Sequence, residues 1–219
     1  CLITLSCQTS QHSSDQLLVF CAAVMKPAME EIIASYQVKT GTEVAIQYGG
    51  SGTLLSNLKI AQLGDLFIAA DESYIKDADE MGLLTSYDVV ARIKPVILVR
   101  KGNPLKIYTI EDLLRKDVDV VLANPDAASI GRQTKKILEQ MDIYERLSEK
   151  VVAFMPTVNE VSNTVKLGTS DAGIVWNTVA AQYADLESVE LPIFDTEIQN
   201  ISVGLLKSSD HPDLGKKLM

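Results

Sequence analysis

Histidine is almost missing from this sequence of 219 residues: the two present, His12 and His211, lie near opposite ends. A His-based triad, a His-rich metal site or a His acid/base pair would have to reach in from a tail, which disfavours most hydrolytic mechanisms. Positive charge is also short. Lys+Arg total 20 against 29 Asp+Glu, and the net charge of -9 gives no counterion-release drive toward nucleic acid and repels anionic lipid. The three cysteines, Cys1, Cys7 and Cys21, are too few and too N-terminal to staple a fold, and Cys21 sits in an apolar run that reads as core. No stretch past the first residues reaches the ~18 apolar residues of a membrane span. No spacing calls for a metal ion or a cofactor. What is present is a hydrophobic fraction of 47%, enough for a packed core and incompatible with disorder or a collagen-like chain.

The first residues, Cys1-Leu-Ile-Thr-Leu-Ser-Cys7, are apolar and lead into the polar run Gln8 to Asp15. This reads as the end of a lipoprotein signal, with residues 1–15 a tether and Cys7 the lipidated position; a disordered amphipathic tail is the alternative. Beyond it, strand and helix alternate. Leu17-Leu-Val-Phe-Cys21 is a run of strand length, and Met29, Ile32, Ile33 and Tyr36 recur at helical spacing from Pro27 to a stop at Gly41. Glu43–Tyr48 then 53–63, and Asp65–Ala70 then 72–81, repeat the strand-helix unit.

A second series begins with a strand at 96–99 and a helix from Thr109 with a capping box to Asp112. It continues with a strand at 118–122 and a helix at 131–141, then a strand at 172–176 and a helix at 177–183. Strands at 189–194 and 200–206 and a helix from Asp210 complete it. The alternation predicts an α/β fold with helices on both faces of mostly parallel sheets. Ligands in such folds sit beyond the carboxyl ends of the strands, where helix starts offer unpaired N–H groups and so an anion site without Lys or Arg.

Tyr48-Gly-Gly-Ser-Gly-Thr53 is the most informative turn. Its glycines permit close backbone approach, and Ser51 places a hydroxyl at a helix start. It lacks the spacing and lysine of a P-loop, and Thr53 replaces the last glycine of a nucleophile elbow. A Gly-rich turn with a serine N-cap is the plain alternative. Asp71 reads as an N-cap, Trp176 as a cleft wall or a ligand donor, and Asn159-Glu160 as either ligand contacts or the cap and first turn of a helix to Lys166. Lys26 is either a solvated helix residue or a source of positive field.

Phe20-Cys-Ala-Ala-Val-Met-Lys-Pro-Ala-Met29, Tyr48 to Leu54 and Gly64-Asp-Leu-Phe-Ile-Ala-Ala-Asp-Glu72, in that order, resemble the N-terminal signatures of the molybdate-binding, ModA-like proteins of ABC importers. The similarity runs on through Gly102-Asn-Pro104, Ala123 to Ala127, Pro156 to Val161 and Val165 to Trp176, so it spans residues 17–207. It implies a two-lobed periplasmic-binding-protein fold of type II with a tetrahedral oxyanion in the interlobe cleft. Lobe 1 is expected over 16–92 and 193–219 and lobe 2 over 93–192, with hinge strands near 91–95 and 190–195.

In that family, hydroxyls and backbone N–H groups hold the anion. Carried over, the second-loop serine is Ser51, flanked by Gly50 and Gly52. The first-loop serine falls at Val24, beside Ala23 and Met25, whose backbone alone can donate. A third donor falls at Ser129 or Ile130, a fourth near Asn159, Glu160 or Val161, and the family tyrosine at Trp176, which offers only an indole N–H. The resemblance therefore implies an extracytoplasmic binder, not an enzyme. It would be monomeric, tethered at most by lipid, and would capture molybdate or tungstate for a membrane permease. Two readings stay open: another small solute, or the sensor of a transcription regulator, whose DNA-binding helices would have to precede residue 17.

Overall fold

The computed structural model describes residues 16–219; the assigned tether and Cys7 lie outside the described residues. β1 (Gln16–Ala22) alternates Val19 and Cys21 on one face with Phe20 on the other, and all are buried. A strand buried on both faces needs cover on both. β1 pairs in parallel with β2 (Glu43–Gly49) and β3 (Leu66–Ala69). α1 (Lys26–Thr40) brings Met29 and Ile33 into the cluster that holds Val19 and Cys21. α2 (Ser51–Ala61) and α3 (Glu72–Glu80) bring Leu54, Leu58, Tyr74 and Ile75 to Phe20 and Phe67. Burial pushes the Cys21 thiol far up, as suits an inert core residue.

The remaining strands are β4 (Leu84–Ile93), β5 (Pro95–Arg100), β6 (Val120–Ala123), β7 (Ala153–Met155), β8 (Ala172–Trp176), β9 (Leu186–Val189) and β10 (Gln199–Leu206). The remaining helices are α4 (Ser129–Gln140), α5 (Tyr144–Ser148), α6 (Val158–Lys166), α7 (Asn177–Ala180) and α8 (Pro212–Leu218). Two 5-stranded sheets result, ordered β2-β1-β3-β10-β4 and β7-β6-β8-β5-β9. The second repeats the first: a parallel trio, then an inserted antiparallel strand, then an edge strand.

The chain leaves the first sheet at Lys94 and returns between β9 and β10. The Lys94 ammonium bonds Asp195 at 2.8 Å and Glu190 at 2.9 Å, which ties the two crossings together. Those carboxylates, Asp195 foremost, hold the ammonium above its ordinary pKa. Its backbone is fixed as well, because Lys94 N–H donates to Asn177 Oδ1 at 3.1 Å and its carbonyl accepts from Asn177 N–H at 2.9 Å.

Several elements differ from expectation. The capping box at Thr109 and Asp112 forms, but only a 3₁₀ turn over Glu111–Leu114 follows. Arg115 is extended, and the Lys150 ammonium collects the carbonyls of Leu113, Arg115 and Val118, so a continuing helix has no acceptors there. The strand expected at 189–194 ends at Val189, and Pro192, which has no N–H for a ladder, opens a 3₁₀ turn instead. β4, α5 and β7 were not anticipated. β4 is an edge strand with mostly exposed side chains, and β7 is a 3-residue edge, so neither carries an apolar period.

Asp65 closes the end of the first sheet. Buried to 4% exposure, its carboxylate accepts from Leu18 N–H at 2.7 Å and Ser209 Oγ at 2.6 Å. Asp65→Ala strands the Leu18 donor and is expected to cost about 2–3 kcal/mol, read as a lower urea midpoint at unchanged slope.

Candidate functional site

The carboxyl ends of the parallel strands of both sheets meet in one small cavity. From the first sheet come Ala22, Ala23 and Val24 after β1, Gly49, Gly50 and Ser51 after β2, and Ala70 after β3. The second sheet supplies Ala128, Ser129 and Ile130 after β6, Thr157 and Val158 after β7, and Trp176 at the end of β8. None of these side chains is ionisable. The cavity volume is about 10 Å³, room for roughly one water-sized sphere at this separation of the lobes.

Polar character comes from backbone and hydroxyls. No side chain caps the N-terminus of α2 or α4, whose N-caps are Gly50 and Ala128. The first-turn N–H groups of α4 therefore have no intrahelical or side-chain acceptor, and in α2 the Ser51 N–H is left in the same state, because Gly52 and Thr53 N–H go to the Ala127 carbonyl; a positive dipole end of this kind stabilises an anion. Ser51 is 1% exposed, and its Oγ accepts from Ala70 N–H at 3.2 Å. That bond leaves the hydroxyl proton for a solute oxygen.

The glycines of the Tyr48–Thr53 turn have a second task, which sequence reasoning missed. Gly52 and Thr53 N–H both donate to the Ala127 carbonyl across the cleft, at 2.9 Å and 3.2 Å. A Cβ on Gly52 would stand 2.2 Å from Asp126 O, and one on Gly50 2.3 Å from Ala127 O and 2.7 Å from Pro156 O. The lobes thus meet backbone to backbone. Tyr74 O–H also reaches across, to Pro125 O at 3.4 Å, and burial pushes its phenol up to about 12 even though Arg132 on its ring pulls the other way.

Of the residues singled out from the sequence, Ala23, Val24, Gly50, Ser51, Ser129, Ile130 and Trp176 line the cavity. Met25, Gly52, Asn159, Glu160 and Val161 are not in its lining. Gly52 serves the cross-cleft contact. Thr157, not Asn159, caps α6: its Oγ1 accepts from Glu160 N–H at 3.3 Å and donates to Glu160 Oε2 at 2.7 Å, which turns that carboxylate into the cap. Val161 is fully buried against Gly173. The fourth loop therefore reaches the cavity through Thr157 and Val158, and a threonine three residues before a glutamate is the capping-box signal that locates it. Asp71 caps α3 by accepting from Ser73 N–H at 2.7 Å. Lys26 is exposed and pairs with Glu30 at 3.8 Å.

Residues 17–219 match the sequence profile of the bacterial extracellular solute-binding proteins. The chain belongs to that family. Its members are binding proteins, not enzymes. A binding protein of Haemophilus influenzae is 26% identical over 202 residues, covering 92% of this chain and 82% of that one. The molybdate-binding protein ModA of Mycobacterium tuberculosis is 27% identical over 207 residues, 93% of this chain and 77% of its own. The solved sulfate-binding protein SubI of Mycobacterium tuberculosis superposes with a TM-score of 0.80 at 17% identity, over 93% of this chain and 79% of that one. This solute-binding protein thus has the two-lobed type II fold. Among the described residues, no helix is long and apolar enough to cross a membrane and no cluster of three or more His, Cys, Asp or Glu could hold a metal ion.

Because Gly52 abuts a carbonyl of the opposite lobe, Gly52→Ala is expected to hold the lobes apart while each stays folded. Small-angle scattering should give a larger radius of gyration with an unchanged circular dichroism spectrum.

Proposed function

We propose that this solute-binding protein captures a tetrahedral oxyanion, molybdate or tungstate first, and delivers it to the membrane permease of an ABC importer, with Cys7 as a lipid tether. One observation carries the reading: a cavity without any ionisable side chain is bordered by the uncapped start of α4, by the start of α2 and by the Ser51 hydroxyl, so its attraction for a ligand comes from neutral dipoles. Such a site suits a compact, fully ionised anion, because it offers N–H and O–H donors and no carboxylate to accept a ligand proton. The curated molybdate-binding relative adds support at the level of sequence.

A second reading is a smaller oxyanion such as sulfate. Val24 and Trp176, in place of a serine and a tyrosine, remove two hydroxyl donors and add bulk to the wall.

Thermal unfolding against molybdate, tungstate, sulfate and phosphate distinguishes them. A ligand at ~100 times its dissociation constant adds about 2.7 kcal/mol, a visible shift, and the first reading requires it with molybdate or tungstate. A shift with sulfate alone selects the second. Ser51→Ala should weaken binding of the active anion by about 1.5–3 kcal/mol, roughly ten- to a hundredfold, by calorimetry. With no titrating group in the wall, affinity for a dianion should stay flat from about pH 6.5 to 9.

A further inference from the structure

Arg132 lies one turn into α4, outside the cavity that Ser129 and Ile130 of the same helix line. Its guanidinium reaches α3. Nη1 donates to Ser73 Oγ at 2.8 Å and to Asp77 Oδ2 at 3.0 Å, and the guanidinium carbon sits 3.5 Å from the centroid of the Tyr74 ring. All three partners belong to α3 of the first lobe, whereas α4 belongs to the second. None of the three lines the cavity. The contact bridges the two lobes, so its free energy favours the arrangement that holds α4 against α3.

We propose that Arg132 is a positioning residue for solute capture: it clamps α4 to α3 and sets how long the closed state holds its solute. Solute and clamp act through one rigid helix, α4, so they draw on a single open–closed equilibrium. The planar guanidinium is suited to this, since it stacks on an aromatic face and bonds in its own plane at the same time, which an ammonium does not. The ion pair is partly exposed, with side-chain exposures of 40% and 37%, so salt weakens it. The clamp rests on the reading of the cleft as a solute trap, but its geometry is independent of which anion enters.

The test compares wild type, Arg132→Ala and Arg132→Lys as the full chain. Small-angle scattering without added anion is expected to show a larger radius of gyration for Arg132→Ala, an intermediate one for Arg132→Lys, and expansion of wild type, but not of Arg132→Ala, as sodium chloride is raised. Stopped-flow measurement with molybdate, or with whichever tested anion shifts wild-type unfolding, should give dissociation about five- to thirtyfold faster in Arg132→Ala at an unchanged association rate. A residue that merely supports its own lobe would move the unfolding midpoint and leave this rate split and the salt response alone. Unchanged dimensions and dissociation in Arg132→Ala overturn the clamp while leaving the anion reading intact. A larger radius of gyration in Arg132→Ala, with no tested anion binding wild type, overturns the anion reading and keeps the clamp.

Discussion

Two backbone N–H groups of α2 converge on one carbonyl across the cleft, Gly52 at 2.9 Å and Thr53 at 3.2 Å from Ala127 O. Everything else at the site is arranged around that contact. It requires bare backbone on both sides, which is why Gly50 and Gly52 stand opposite the carbonyls of Asp126, Ala127 and Pro156 with no room for a Cβ. It also draws the start of α2 toward the start of α4 closely enough for both to border the same few cubic ångströms. Two like dipole ends brought together repel unless something negative lies between them. The carbonyl of Ala127 supplies part of that, and a bound anion would supply the rest.

The two sheets explain how a cleft of this kind arises from ordinary α/β construction. Each has a parallel trio whose carboxyl ends feed loops, and each takes its inserted antiparallel strand, β10 or β5, directly after the chain crosses from the other sheet. The crossings at Lys94 and at residues 190–198 are tied by one ammonium shared between two carboxylates. With the crossings tied there, the backbone contacts at Ala127 and the Arg132 contacts to α3 add further bonds between the lobes. Neutral walls keep lobe separation cheap, since no buried charge loses its partner in it.

Much of this was legible in the chain. The buried strands and the α/β class follow from apolar runs of strand length, and β1, β5 and β8 lie where those runs are. Three of the loops that meet at the site, around Val24, Ser51 and Ser129, follow from strand-then-helix order together with the family signature. The elements that escaped notice are those whose side chains bury little: β4 at an edge and β7 with three residues. A local rule failed at Thr109, where the capping box formed but long-range bonds from Lys150 took the carbonyls a helix needs. In the fourth loop Thr157 and Val158 line the cavity, whereas Asn159 and Glu160 lie in the first turn of α6, the other role their sequence allows.

The sequence by itself determined the layered α/β class, the family, the scarcity of histidine and the helix starts from which an anion site is made, because these depend on local periodicity, composition and motif order. Only the tertiary structure decided which of those helix starts face one another, that the turn glycines serve contact between lobes, and that Arg132 reaches a tyrosine and an aspartate 58 and 55 positions away in the chain. The physical reason is that closure joins residues through space by backbone hydrogen bonds and a stacked cation, and neither leaves a periodic mark on the chain.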